Sequence, residues 1–268
     1  MTELLPIVVI LLTAGVLAGF MAGLMGIGGG IVTIPALYTV FEILNYDPAW
    51  RMHMAVGTSL AIILVTSLSS VRAHHQKKSV DWSIMKKWWL WLALGAALGA
   101  VFAKTLKTEE LIYVFGALLL LLAIKMLLPV EGFSFKKTLD VGVKRFVSPT
   151  IIGFFSSLMG IGGGSFTVPY LTAHGVAIHR AVGTAAFGGF IISLAGGLGF
   201  LYMGLSVASL PPQNFGFIHL PSAVVMAFAS VLMAPVGAHV AHKLPKRVLS
   251  IIFGLFLIVA AARLLTAL

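Results

Sequence analysis

Leu24-Met25-Gly26-Ile27-Gly28-Gly29-Gly30 recurs letter for letter as Leu158-Met159-Gly160-Ile161-Gly162-Gly163-Gly164. Each copy runs on to a threonine, an aliphatic residue and a proline, Thr33-Ile34-Pro35 and Thr167-Val168-Pro169. A second block follows, His53-Met54-Ala55-Val56-Gly57-Thr58 against His179-Arg180-Ala181-Val182-Gly183-Thr184. A third, weaker block pairs Gly99-Ala100 with Gly237-Ala238, Gly116 with Gly254 and Lys125 with Arg263. Three blocks in one order predict an internal duplication. The chain then divides into an N-terminal transmembrane repeat (1–130), a linker (131–145) and a C-terminal transmembrane repeat (146–268).

Composition sets the solvent. Hydrophobic residues make up 59% of the 268 and charged residues only 10%, where a soluble domain carries about a quarter charged. That excess of apolar surface predicts a multi-span, all-α integral membrane protein whose partner is the lipid bilayer. The absence of cysteine excludes disulfides, thiolate metal sites and cysteine nucleophiles. The first apolar run, from about Leu4, lacks a basic leader and is expected to stay as a helix, not to be cleaved as a signal peptide. The net charge of +10 lies mostly in loops between apolar runs, where it orients the protein and does not imply nucleic acid. All eight carboxylates lie at or before Asp140. A carboxylate relay for protons or sodium thus has few candidates, and an anion would meet little repulsion.

Each half reads as five segments, at about 5–26, 31–44, 53–72, 86–104 and 109–128, then 146–159, 165–174, 179–204, 218–241 and 247–266. Three per half can span about 30 Å of hydrocarbon, and the second of each is too short. The loop 72–87 holds Arg72, Lys77, Lys78, Lys86 and Lys87 against Asp81 alone, and the linker is also basic. Both are expected in the cytoplasm, and the uncharged loop 205–217 outside. Loops 72–87 and 205–217 occupy equivalent places in their halves, so the halves are expected to have inverted topology, with a site near the midplane between them.

Three consecutive glycines cost a helix roughly 1 kcal/mol each relative to alanine. Freed backbone groups in a membrane need partners or a cavity. The breaks at Gly28, Gly29 and Gly30 and at Gly162, Gly163 and Gly164 are therefore expected to be broken or re-entrant helices. Their short second helices would aim free N–H groups and a positive dipole end at an anion. Close helix packing through small residues is the alternative. Alanine at Gly29 or Gly163 is expected to leave folding intact. Thr58, Ser59 and Thr184 could ligate the anion or bond back to their own helices. His53 and His179, as repeat partners, are candidates for proton coupling or anion pairing, and Arg180 for binding. Lys125 and Arg263 are expected to snorkel, and Trp88, Trp89 and Trp91 to form an interfacial belt.

These doubled glycine, proline and Ala-Val-Gly-Thr blocks resemble the sulfite exporter TauE/SafE family across essentially the whole chain. His74 to Trp82 is similar to that family's basic His-x-x-x-x-x-Val-Asp-Trp stretch, with Lys77, Lys78 and Ser79 where arginine and glycine are common. The resemblance implies movement of sulfite, a sulfonate or a related sulfur-containing anion across the bacterial inner membrane. A secondary transporter working by alternating access, with export favoured, leads over a passive anion channel or an uptake permease for thiosulfate or sulfate. No cofactor, metal or ATP-binding signature is expected, and the sequence is compatible with a homo-oligomer. An enzyme would need a fuller constellation than His74-His75 or His239-x-x-His242.

Overall fold

A computed structural model describes residues 4–25, 28–128, 143–241 and 246–266, so the linker at 131–142 lies outside the described residues. Ten helices run in order among them. The first half holds α1 (Leu4–Met25), α2 (Gly30–Ile43), α3 (Arg51–Gln76), α4 (Trp82–Thr105) and α5 (Thr108–Leu127). The second holds α6 (Lys144–Leu158), α7 (Gly164–Ala173), α8 (Ile178–Gly204), α9 (Leu220–Ala241) and α10 (Lys246–Leu265). Five of them are long and apolar enough to cross a membrane, which makes the chain a multi-pass membrane protein. α2 and α7, at 14 and 10 residues, are the short ones after the glycines.

Local chemistry moves several boundaries from their expected places. α3 continues through His75, and α4 starts at Trp82 because Asp81 caps it, its Oδ1 accepting from the Ser83 backbone N–H at 3.1 Å. The basic loop thus shrinks to a few residues. Trp88 is not an interfacial residue: it is 1% exposed and packs on Tyr170. Trp89 stays exposed. In the uncharged loop, β1 (Asn214–Phe215) and β2 (Ile218–His219) form a small antiparallel hairpin around Gly216, at φ 58°. Nothing in the helical periodicity anticipated it. Arg263 pairs with Glu42 at 3.1 Å instead of snorkelling alone, and Lys125 has no described side chain.

The halves interlock by exchanging equivalent contacts. A Cβ on Gly99 in α4 would strike the Phe154 carbonyl in α6, and one on Gly237 in α9 would strike the Phe20 carbonyl in α1. Phe20 and Phe154 are themselves repeat partners. Likewise Gly116 lies against Leu265 and Gly254 against Leu127. α1 and α9 run in the same direction, since Gly15 faces Met226 and Gly19 faces Ser230. α3 and α8 run in opposite directions, Leu60 lying by Gly196 and Ile63 by Gly162, next to Gly189. Small residues at these crossings let backbones approach closely, the usual basis of packing in lipid.

Candidate functional site

The two glycine breaks meet. A Cβ on Gly28 would stand 3.3 Å from the Gly162 Cα, and one on Gly30 would strike the Gly160 carbonyl. The second break is built from successive devices. Gly160, at φ 60°, ends α6, its N–H donating to the Ser157 carbonyl and that of Ile161 to the Ser156 carbonyl. Gly163 opens α7 at φ 73° and ψ −12°, and Gly29 opens α2 with identical angles. Neither helix start receives a side-chain cap, so their first-turn N–H groups keep the anion-binding character of an open N-terminus.

A cavity of about 100 Å³ adjoins this junction, room for several waters or a small ion. Gly28, Gly162, Gly189 and Ile63 line its inner end, and Thr66, Ser67, Ser69, Ser70 and His74 of α3 line one wall. The lining passes from buried Ile63, Thr66 and Ser67 to exposed Ala73, so the cavity leads outward beside the basic loop. The α3 hydroxyls were missed by sequence reasoning. The signal was the run Thr66-Ser67-Leu68-Ser69-Ser70, which only Ser193 echoes, opposite Ser67. At the opposite end, Phe41, Tyr46, Trp50, His53, Phe217 and His219 stack into a closed aromatic cluster.

The other candidates are placed differently. Thr58 Oγ1 accepts from the His219 backbone N–H, and Thr184 Oγ1 from that of Asp81, both at 2.9 Å. Gly57 lies against the Phe217 carbonyl and Gly183 against that of Ser79. The Ala-Val-Gly-Thr block is thus a strap that holds the loop leading into the other half's fourth helix. Ser59 donates to the Gly160 carbonyl at 2.9 Å and pairs with Thr33 at 2.7 Å, tying the first half to the second break. Thr58→Val would strand a buried N–H and should cost about 1–3 kcal/mol. Its thermal midpoint should fall, and an unchanged midpoint would remove the strap's weight in stability.

His53 and His179 are not brought together. His53 is fully buried with Nε2 at 3.0 Å from the Ala103 carbonyl, whereas His179 is exposed at the far end of the antiparallel α3–α8 pair. Arg180 lies at the surface, outside the cavity, 2.6 Å from Asp81. Burial pushes the Asp81 carboxyl up, but hydrogen bonds from Ser83 and the Arg180 guanidinium outweigh it and hold it below the ordinary carboxylate value. No cluster of three or more metal-ligating side chains occurs among the described residues.

No solved structure matches the chain. A probable membrane transporter protein of Haemophilus influenzae is 34% identical over 254 residues, covering 95% of this chain and 96% of the relative. The probable membrane transporter protein MJ0441 of Methanocaldococcus jannaschii is 26% identical and covers 96% and 97%. YunE of Bacillus subtilis, also described as a probable membrane transporter protein, is 27% identical and covers 78% and 85%. Residues 11–264 match the family described as Sulfite exporter TauE/SafE. With that match extending from α1 to α10 and through both glycine breaks, the chain is a membrane transporter of the sulfite exporter TauE/SafE family.

Proposed function

We propose that the protein is a secondary transporter that carries a small sulfur-containing anion, sulfite or an organosulfonate, out across the bacterial inner membrane by alternating access. The observation that carries this is the meeting of Gly28 and Gly162 at the inner end of a cavity. Gly28 and Gly162 line that cavity and lie just before the uncapped starts of α2 and α7, whose backbone donors and positive dipole ends favour an anion nearby. Neutral donors suit a cargo that must leave, since a buried arginine beside it would hold the anion against release. The halves act as inverted repeats, a topology that the antiparallel α3–α8 pair and the exchanged contacts favour.

With the basic loop 72–87 and the linker in the cytoplasm, the cavity faces inward and the aromatic cluster closes the outside. Any coupled proton travels on the anion's own weak-acid form, because His53 and His179 are separated. In proteoliposomes, sulfite flux should be driven above its own electrochemical equilibrium by an imposed pH gradient and be competed by a sulfonate. Flux that only dissipates the sulfite gradient would replace the transporter with a channel, and preference for sulfate or thiosulfate would reassign the cargo.

A further inference from the structure

The cavity beside Gly28 and Gly162 has a repeat image, and that image is shut. Carrying its lining residues into the other half by the alignment of the two glycine and two Ala-Val-Gly-Thr blocks turns Ala22 and Gly23 into Ser156 and Ser157. Thr66, Ser67 and Ser70 become Ile192, Ser193 and Gly196, and Ala186 becomes Leu60. Ser156, Ser157, Ile192, Ser193 and Leu60 are all 0% exposed, and Gly196 is buried. A Cβ on Gly196 would strike Ser157 Oγ and lie 3.2 Å from Leu60 Cδ1. One on Gly163 would lie 2.5 Å from Ile192 Cδ1. Side chains that stand around space in one half are pressed together in the other.

Two further observations mark this packed seam as a place that opens. Ser156 and Ser157 hydroxyls are buried with no hydrogen-bond partner. A buried polar atom left unpaired is costly, and their images line a cavity. Second, the contact pair Gly196 and Ser157 has the image Ser70 and Gly23, in which glycine and serine are exchanged. The summed side-chain volume of this pair is equal, so this one contact can form in the open seam with the same fit. We infer that Ser156, Ser157 and Ser193 wall a second anion vestibule, which opens toward the loop 205–217 when the present cavity closes, with Leu60 and Ile192 as its plug. Their hydroxyls donate to the oxyanion as it passes. This inference rests on the alternating-access function proposed above.

The chain has no cysteine, so single cysteines can report access. Ser157→Cys and Ser193→Cys, in membranes exposed to sulfite, should react with an impermeant thiol reagent from the side bearing loop 205–217. Ser70→Cys should react from the other side. Adding Gly196→Ala, whose Cβ has no room in the closed seam, should raise the labelling rate of Ser193→Cys by about tenfold, as a population shift toward the open form. Ser156→Cys serves as a second reporter if either variant fails to assemble. Labelling of all three second-half cysteines from neither side, or only from the side of Ser70→Cys, overturns the vestibule. Sulfite flux by the unmodified chain tests the transport function separately, so a sealed seam with intact flux sinks this inference alone.

Discussion

Gly162→Ala should weaken sulfite binding about tenfold or more, equivalent to roughly 1.4 kcal/mol, in a protein that still folds. Gly162 lines the cavity and touches Gly28 across the two breaks. Unlike Gly28, Gly29, Gly160 and Gly163, it has no positive φ, so a Cβ brings no left-handed strain. The added methyl would stand 2.9 Å from Ile63 Cγ2, so that β-branch must give by a few tenths of an ångström, and 3.6 Å from the Gly28 Cα, an ordinary contact. It would therefore fill part of the cavity beside the two breaks, where the proposed anion is expected to bind. Gly29 and Gly163 are poorer tests, and the expectation that alanine there spares the fold is corrected by the geometry. Both sit at φ 73°, where a non-glycine residue costs about 1–2 kcal/mol. A Cβ on Gly29 would also stand 2.9 Å from the Ala18 carbonyl oxygen. Calorimetric titration with sulfite, beside a thermal melt, checks the Gly162 result. Equal affinity with an equal melt would make Gly162 a packing residue only.

The chain's helices were legible because apolar runs in a membrane protein are bounded by loops that carry charge or glycine. α2 and α7 were found by the same token: three glycines mark the break and a proline five residues after the last of them marks a short helix. That the breaks would converge was also legible, since two copies of one motif in a duplicated chain can lie on a shared axis. What lay beyond the sequence was the identity of each residue's partner. Thr58 and Thr184 read as ligands because hydroxyls beside a break suit an anion. Their oxygens are instead engaged by the N–H groups of His219 and Asp81, 161 and 103 positions away. Arg180 read as a binding residue because it stands beside His179, and its partner Asp81 comes from the other half. His53 and His179 are symmetric in sequence but not in environment, because each opens one helix of the antiparallel α3–α8 pair, His53 buried and His179 exposed. The serines that the structure leaves unpaired, Ser156, Ser157 and Ser165, have the images Ala22, Gly23 and Ile31. A search for repeated chemistry passes over them for that reason.

Gly99→Ala and Gly237→Ala should each destabilise the protein strongly and by similar amounts. Each glycine stands where its helix crosses a helix of the other half, with the carbonyl of Phe154 or Phe20 in the space a Cβ would take. A carbonyl within a helix cannot rotate away as a side chain can, so the helices must separate. Overpacking of this kind costs about 1–3 kcal/mol, and the backbone contact places it at the upper end. Separation also forfeits the dispersion contacts along the crossing, which in lipid are not replaced by a hydrophobic term. Gly188→Ala is the matched control. Its Cβ would meet only Leu92 Cδ1, at 3.5 Å, and alanine gains roughly 1 kcal/mol in helix propensity, so its midpoint should hold or rise. Thermal unfolding in detergent reads all three. If Gly99→Ala or Gly237→Ala melts like Gly188→Ala, the crossings are looser than their geometry implies. The equality of the two losses matters for movement. α1 with α9 and α4 with α6 meet at backbone contacts, each pair joining a first segment to a fourth segment of the other half. If access alternates as proposed, the cavity would close and its image open by rocking these pairs against α3 and α8, where Gly196 meets the side chains of Ser157 and Leu60.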